Sequence, residues 1–265
     1  MSLNARLDWR VLRVDGPDAR QFLNGLLTQD VAHLPAWTAA PCCLLTPKGK
    51  LQAEFLIAEI GGPFLLIGAP KGIENAKATL GKMAMLSQSR VEDAGLAVAF
   101  APDYPSSGPW RVAEKSPYPF VVADPRIRLT AALILAAPDK LPPATLTGEQ
   151  FEALRVAAGV PLFGVDADED CLPLEVCMDA AVSFNKGCYM GQETMSRIHH
   201  MGHVNRLLRR LSVAGARPGD PVESGDAPLG KVTSASPHHA LALLKAEGSE
   251  PGARLTVGGK DAQVL

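Results

Sequence analysis

The stretch FNKGCYMGQE, Phe184 to Glu193, places Cys188 between two glycines, two residues after Lys186 and just before QETMSRIHH, whose spacing is helical. Gly187 and Gly191 permit positive φ and close backbone approach. A thiol near a helix N-terminus meets free backbone N–H groups, and a neighbouring ammonium adds positive charge. Both favour the thiolate, the form that attacks electrophiles and ligates metals. Cys188 and Lys186 are therefore the candidate reactive pair. The same residue types also describe a small side chain in a turn, and the local sequence leaves both readings open.

The other cysteines are different. Cys42 and Cys43 lie in the apolar run CCLL and read as core, and the spacings of the five cysteines include no C-x-x-C pair and suggest no disulfide framework. His199 and His203 are four residues apart, a spacing that can hold a metal on one helix face, but Gly202 falls between them and ends the helix there, so no metal site is expected. Arg197, Arg206, Arg209 and Arg210 form a modest basic stretch that reads as a solvated face, with an anion or RNA contact as the alternative.

These groups must be positioned by a chain of 265 residues with 47% hydrophobic and 20% charged residues, enough for a proper core. A net charge of −2 supplies no field that would gather nucleic acid or an anionic membrane, so no direct nucleic-acid partner is expected. The first fifteen residues are rich in Arg and Asp and lack the apolar stretch of a secretory signal, and no apolar run reaches membrane-spanning length; a cytoplasmic location is expected.

Along the chain, WRVLRV reads as a strand, and Ala19, Phe22, Leu23, Leu26 and Leu27 then give the single buried stripe of a helix capped at Asp15 or Gly16. A three-strand meander follows, turning at Pro47-Lys48-Gly49 and at Gly61-Gly62. Residues 71–86 read as a helix and VEDAGLAVAF as one strand. Proline and glycine density rises from Ala101 to Pro109, after which WRVAEK, PFVVAD and RLTAALILAA supply short strands and 149–158 a helix with Thr147 at its cap. The last sixty residues are short β segments between Gly-rich turns, a small barrel or sandwich. The expectation is α+β, divided at 1–102, 103–204 and 205–265.

KGCYMGQE resembles the signature of the YgfZ-type folate-binding family, whose members assist iron–sulfur enzymes and, through them, tRNA modification. GPDARQFLNGLLTQDV, PKGK, RVAAGVPLFG with LPLE, and PLGKVTSAS are similar to further segments of that family, so the resemblance spans nearly the whole chain. It implies two α+β subdomains around a central channel plus a C-terminal barrel. It also implies tetrahydrofolate or a one-carbon derivative as cofactor, iron–sulfur client enzymes or assembly proteins as partners, and Cys188 as the functional thiol at or near an opening of the channel. Folate contacts implied in the same way are Trp9, Phe151 and Glu175, with Tyr189 and Gln192 of the cysteine motif.

The family is similar in fold to the glycine-cleavage T-protein, a folate-dependent aminomethyltransferase, which is the alternative function. That protein carries an aspartate pair after its Gly-Gly turn. Here KGKLQAEF puts Gln52 and Ala53 at those places, with Glu54 one residue further on and expected on the opposite face of the strand. Loss of the acids argues against aminomethyl transfer.

Overall fold

A computed structural model describes residues 3–105, 108–113 and 116–265 of the chain. The first sheet is fully antiparallel and takes its strands from β2 (Arg10–Asp15), β3 (Ala39–Leu45), β4 (Leu51–Glu59), β5 (Phe64–Gly68) and β6 (Arg90–Asp93), in the order β3-β4-β5-β2-β6. Two helices, α1 (Ala19–Leu26) and α2 (Pro70–Ala84), cover one face, where Leu12, Val14, Ala53, Phe55 and Ile57 meet Leu23, Ile73 and Leu80. The alternation of the strands sends Val11, Leu56 and Ala58 to the other face.

That other face packs on a second antiparallel sheet, β1-β7-β9-β8, built from β1 (Ala5–Leu7), β7 (Ala97–Ala101), β8 (Phe120–Ala123) and β9 (Ala132–Ala136). Two of its four strands, β1 and β7, come from before residue 103 and two, β8 and β9, from after it. VEDAGLAVAF is two strands, not one. Gly95 turns at φ +65°, its N–H held by Asp93 Oδ1 at 2.9 Å, and the chain passes from β6 in one sheet to β7 in the other. The strand expected from WRVAEK is reduced to isolated bridges at Arg111 and Val112, and Glu114 and Lys115 lie outside the described residues.

Helix α3 (Gly148–Ala158) begins at Thr147, the expected cap, whose Oγ1 accepts from Gln150 N while Thr147 N donates to Gln150 Oε1. Phe151 on this helix packs edge-on against Phe100 of β7, ring centroids 5.1 Å apart. Arg155, 1% exposed, donates to Asp166 at 2.6 Å and to Ser234 at 2.8 Å, and so ties α3 to the last part of the chain. That part is a closed antiparallel barrel of β10 (Arg206–Ser212), β11 (Pro221–Ser224), β12 (Ala227–Ala235), β13 (His239–Lys245), β14 (Arg254–Val257) and β15 (Lys260–Val264), closed where β15 pairs with β10. Between α3 and the barrel run two single 3₁₀ turns, Pro173–Glu175 and Asp179–Ala181, and α4 (Gln192–Met201). Among the described residues no helix is long and apolar enough to cross a membrane.

Candidate functional site

Two places gather the residues singled out by the sequence, and they are distinct. The first is the cysteine loop, 184–191. Gly191 has φ +83°, and a Cβ there would lie 2.6 Å from Thr46 O, so only glycine lets the loop seat against the turn between β3 and β4. Gly187 is not in the left-handed region and a Cβ on it would meet nothing within 4 Å, so only one of the two glycines is required by geometry. Phe184 stacks on His199 of α4 with centroids 3.9 Å apart, pinning the far end of the loop.

Cys188 is exposed, four residues before the first residue of α4. Cys177 is exposed as a residue too, but its Sγ donates to Leu208 O at 3.3 Å and burial raises its pKa. Cys42 and Cys43 are buried core, as expected, and burial pushes Cys42 up to about 11 and Cys43 well above its ordinary value. Cys188 is thus the accessible thiol.

Lys186 is placed otherwise than the sequence led us to expect. Its Nζ donates to the carbonyls of Asn24, Leu27 and Gln29 at 2.7, 2.8 and 2.8 Å, at the C-terminal end of α1. Its three N–H groups are all directed there, where unsatisfied carbonyls and the helix dipole favour a cation. Burial lowers its pKa to about 8. Lys186 therefore anchors the cysteine loop to α1. Tyr189 lies beneath the same loop with its ring 5.1 Å from Lys186 Nζ and its hydroxyl buried without a hydrogen-bond partner among the described residues; burial raises it to about 12. Gln192 opens α4, its backbone N–H donating to Tyr189 O at 3.2 Å. Among the described residues no cluster of His, Cys, Asp or Glu could hold a metal, and Gly202, at φ +97°, ends α4 before His203.

The second place is a small cavity between the two sheets and α3, lined by Trp9, Glu54, Phe100, Asp124, Arg126 and Phe151 among others. Trp9 and Phe151 both line it. Glu175, Tyr189 and Gln192 do not. Glu175 instead caps its own 3₁₀ turn, accepting from Leu172 N at 2.8 Å, and pairs with Arg206 at 3.2 Å, which gives part of the expected basic stretch a structural task.

Two acids face the cavity, Glu54 and Asp124, and Glu54 lies on the face of β4 opposite Ala53, where the alternation of the strand was expected to put it. Residues 53, 55 and 57 of β4 point to the helices, so the even positions point between the sheets, and Glu54 is 5% exposed there. It accepts from Arg126 Nη1 at 2.8 Å, while Arg126 also forms a bidentate pair with Asp124 through Nε and Nη2 at 2.9 and 2.8 Å. Burial raises the Glu54 pKa against the opposing effect of Arg126. Asp124 and Arg126 lie on the β8–β9 connection, a stretch the sequence characterised only in general terms.

Aromatic faces and a buried carboxylate suit the flat rings and amide-like edge of a pterin. Space does not suit it in this arrangement: the free volume is about 10 Å³, room for about one water.

Residues 206–265 match the family model described as the CAF17 C-terminal β-barrel domain. The human mitochondrial iron–sulfur cluster assembly factor IBA57 is 31% identical over 286 aligned residues, spanning 91% of this chain and 77% of that protein. This chain belongs to the IBA57/YgfZ family. The tRNA-modifying protein YgfZ of Serratia proteamaculans is 26% identical, over 84% of this chain and 74% of its own. In fold the chain also matches the glycine cleavage system aminomethyltransferase T of Bartonella henselae, with a TM-score of 0.85 at 18% identity, covering all of this chain and 84% of that one. The IBA57/YgfZ chain described here thus shares the T-protein fold while carrying an exposed cysteine loop on it.

Proposed function

We propose that this chain serves the assembly or repair of iron–sulfur enzymes, and through them tRNA modification, with Cys188 as the group that meets the client. The observation that carries the reading is the exposed thiol on a loop held by Lys186, Gly191 and Phe184. The relatives bearing the names iron–sulfur cluster assembly factor and tRNA-modifying protein support it. An anchored cysteine can ligate iron through its sulfur, giving up its proton as the metal binds, without the loop having to order first. One thiol does not complete the four-thiolate shell of a common cluster, so the remaining ligands come from the client or assembly protein.

The same proposal places a reduced folate, tetrahydrofolate or a one-carbon derivative, against Trp9 and Phe151, with Glu54 in the polar role expected of Glu175. Glu54 would hold donors of the pterin edge and the rings would hold its faces. A folate held there would bring a one-carbon or reducing group.

The test is complementation of a strain lacking its own member of this family. The chain is expected to restore both an iron–sulfur dehydratase activity and iron–sulfur-dependent tRNA modification. Restoration of neither, with the protein present at normal abundance, would refute the reading.

A further inference from the structure

The cavity between the sheets has a polar occupant of its own. Glu54 and Asp124, 5% and 2% exposed, face it from β4 and from the end of β8, and the Arg126 guanidinium lies between them. It is planar, and it meets Asp124 through two parallel N–H···O bonds and Glu54 through a third. The 2-amino-4-oxo edge of a pterin offers a similar pattern, an exocyclic NH₂ beside a ring N–H, in the same plane and at the same spacing as two guanidinium N–H groups. A carboxylate that binds one is built to bind the other.

The geometry points to Arg126 as an internal occupant of the pterin position: it holds the carboxylates that would receive the pterin edge, and folate enters only as Arg126 withdraws. This rests on the proposed folate reading of the cavity. The connection that carries Arg126 can make the movement. It runs from Asp124 to Ala131 at the surface, with Arg128, Leu129 and Thr130 exposed. Asp124 stays at the end of the ladder, its N–H donating to Ala131 O at 2.9 Å, so the ion pairs of Arg126 with Glu54 and with Asp124 are what must break. The exchange gives Glu54 neutral ring donors in place of the guanidinium N–H groups, keeping its hydrogen bonds while its counter-charge moves out. It also accounts for a cavity that has pterin-type walls and room for about one water.

The experiment compares wild-type protein with Arg126→Ala and Arg126→Lys, using tetrahydrofolate and, separately, methylguanidinium as probes. Binding is read by Trp9 fluorescence and calorimetry, and melting temperature is read in parallel. Arg126→Ala is expected to bind tetrahydrofolate at least about tenfold more tightly than wild type, the worth of one charge-assisted contact no longer competed for. Millimolar methylguanidinium is expected to raise the melting temperature of Arg126→Ala but not of wild type, and to compete with the folate. Arg126→Lys keeps the buried charge balanced if the alanine variant folds poorly, and is expected to show a smaller gain in folate affinity. Methylguanidinium rescue without folate binding in any variant would support Arg126 as occupant and overturn the folate reading instead. Folate affinity equal to or weaker than wild type in both variants, or no methylguanidinium effect on Arg126→Ala, would overturn the inference.

Discussion

Replacing Lys186 by methionine isolates the contact that anchors the cysteine loop. The ammonium makes three hydrogen bonds of 2.7–2.8 Å to backbone carbonyls and lies over the Tyr189 ring. Hydrogen bonds to a charged group are each worth roughly 1.5–3 kcal/mol net when buried, and a cation–π contact adds about 0.5–1 kcal/mol. Two effects reduce the sum. Lys186 is only partly buried, so water reaches some of the freed carbonyls, and methionine escapes the desolvation that lowers the lysine pKa to about 8. The net loss should be about 2–4 kcal/mol. Urea unfolding measures it as a lower midpoint at unchanged slope. If the loss is local opening of the loop, amide exchange across 184–191 should accelerate by about 30-fold or more. Lys186→Arg should recover only part, because a planar fork cannot aim three N–H groups at three carbonyls around one point. A methionine variant within about 0.5 kcal/mol of wild type, with unchanged exchange in the loop, would refute the anchoring argument.

Three further outcomes are expected. Limited alkylation of the native protein near pH 7.5, followed by peptide mass spectrometry, should label Cys188 first and leave Cys42, Cys43 and Cys171 untouched until unfolding; early labelling of Cys42 or Cys43 would contradict the burial of those thiols. Stability should fall as pH rises above about 9, since Cys42, held near 11, and Tyr189, held near 12, favour folding in protonated form below their unfolded values of 9.0 and 10.0 and lose that contribution as pH passes through the folded ones. The raised Cys42 value is worth on the order of 3 kcal/mol, so Cys42→Ala should flatten the decline, and an unchanged melting-temperature profile would count against it. With purified glycine-cleavage partner proteins the chain should give no aminomethyl turnover above background, because the carboxylate facing the cavity is paired with Arg126; clear turnover would show Glu54 free to act.

What could be read from the residues was local, and what could not depended on partners distant in sequence. The cap at Thr147, the end of α4 at Gly202 and the stripe of α1 are dictated within a few residues and stand as expected. VEDAGLAVAF alternates plausibly as one strand, and only the two competing sheet edges split it at Gly95. Lys186 beside Cys188 in sequence implied a shared electrostatic field, but its long side chain reaches carbonyls more than 150 residues away along the chain. Glu175 lies where a capping acid for its own short turn also lies, and that local bond prevailed. The face of Glu54 was legible from the alternation of the strand, while the sheet that packs on that face was not. Counting the period-two alternation from Phe55 and Ile57, which are core against the helices, assigns Glu54 to the opposite face, and that face is where the second sheet packs.

The central claim, that Cys188 is the working thiol of an iron–sulfur assembly factor, is tested most directly by one side-by-side measurement. Wild type, Cys188→Ala and Cys177→Ala are expressed at matched abundance in a strain lacking its own family member, and iron–sulfur dehydratase activity is assayed in extracts. Wild type and Cys177→Ala are expected to restore activity while Cys188→Ala, folded to the same melting temperature, leaves it at the level of the empty strain. Full restoration by Cys188→Ala would contradict the account.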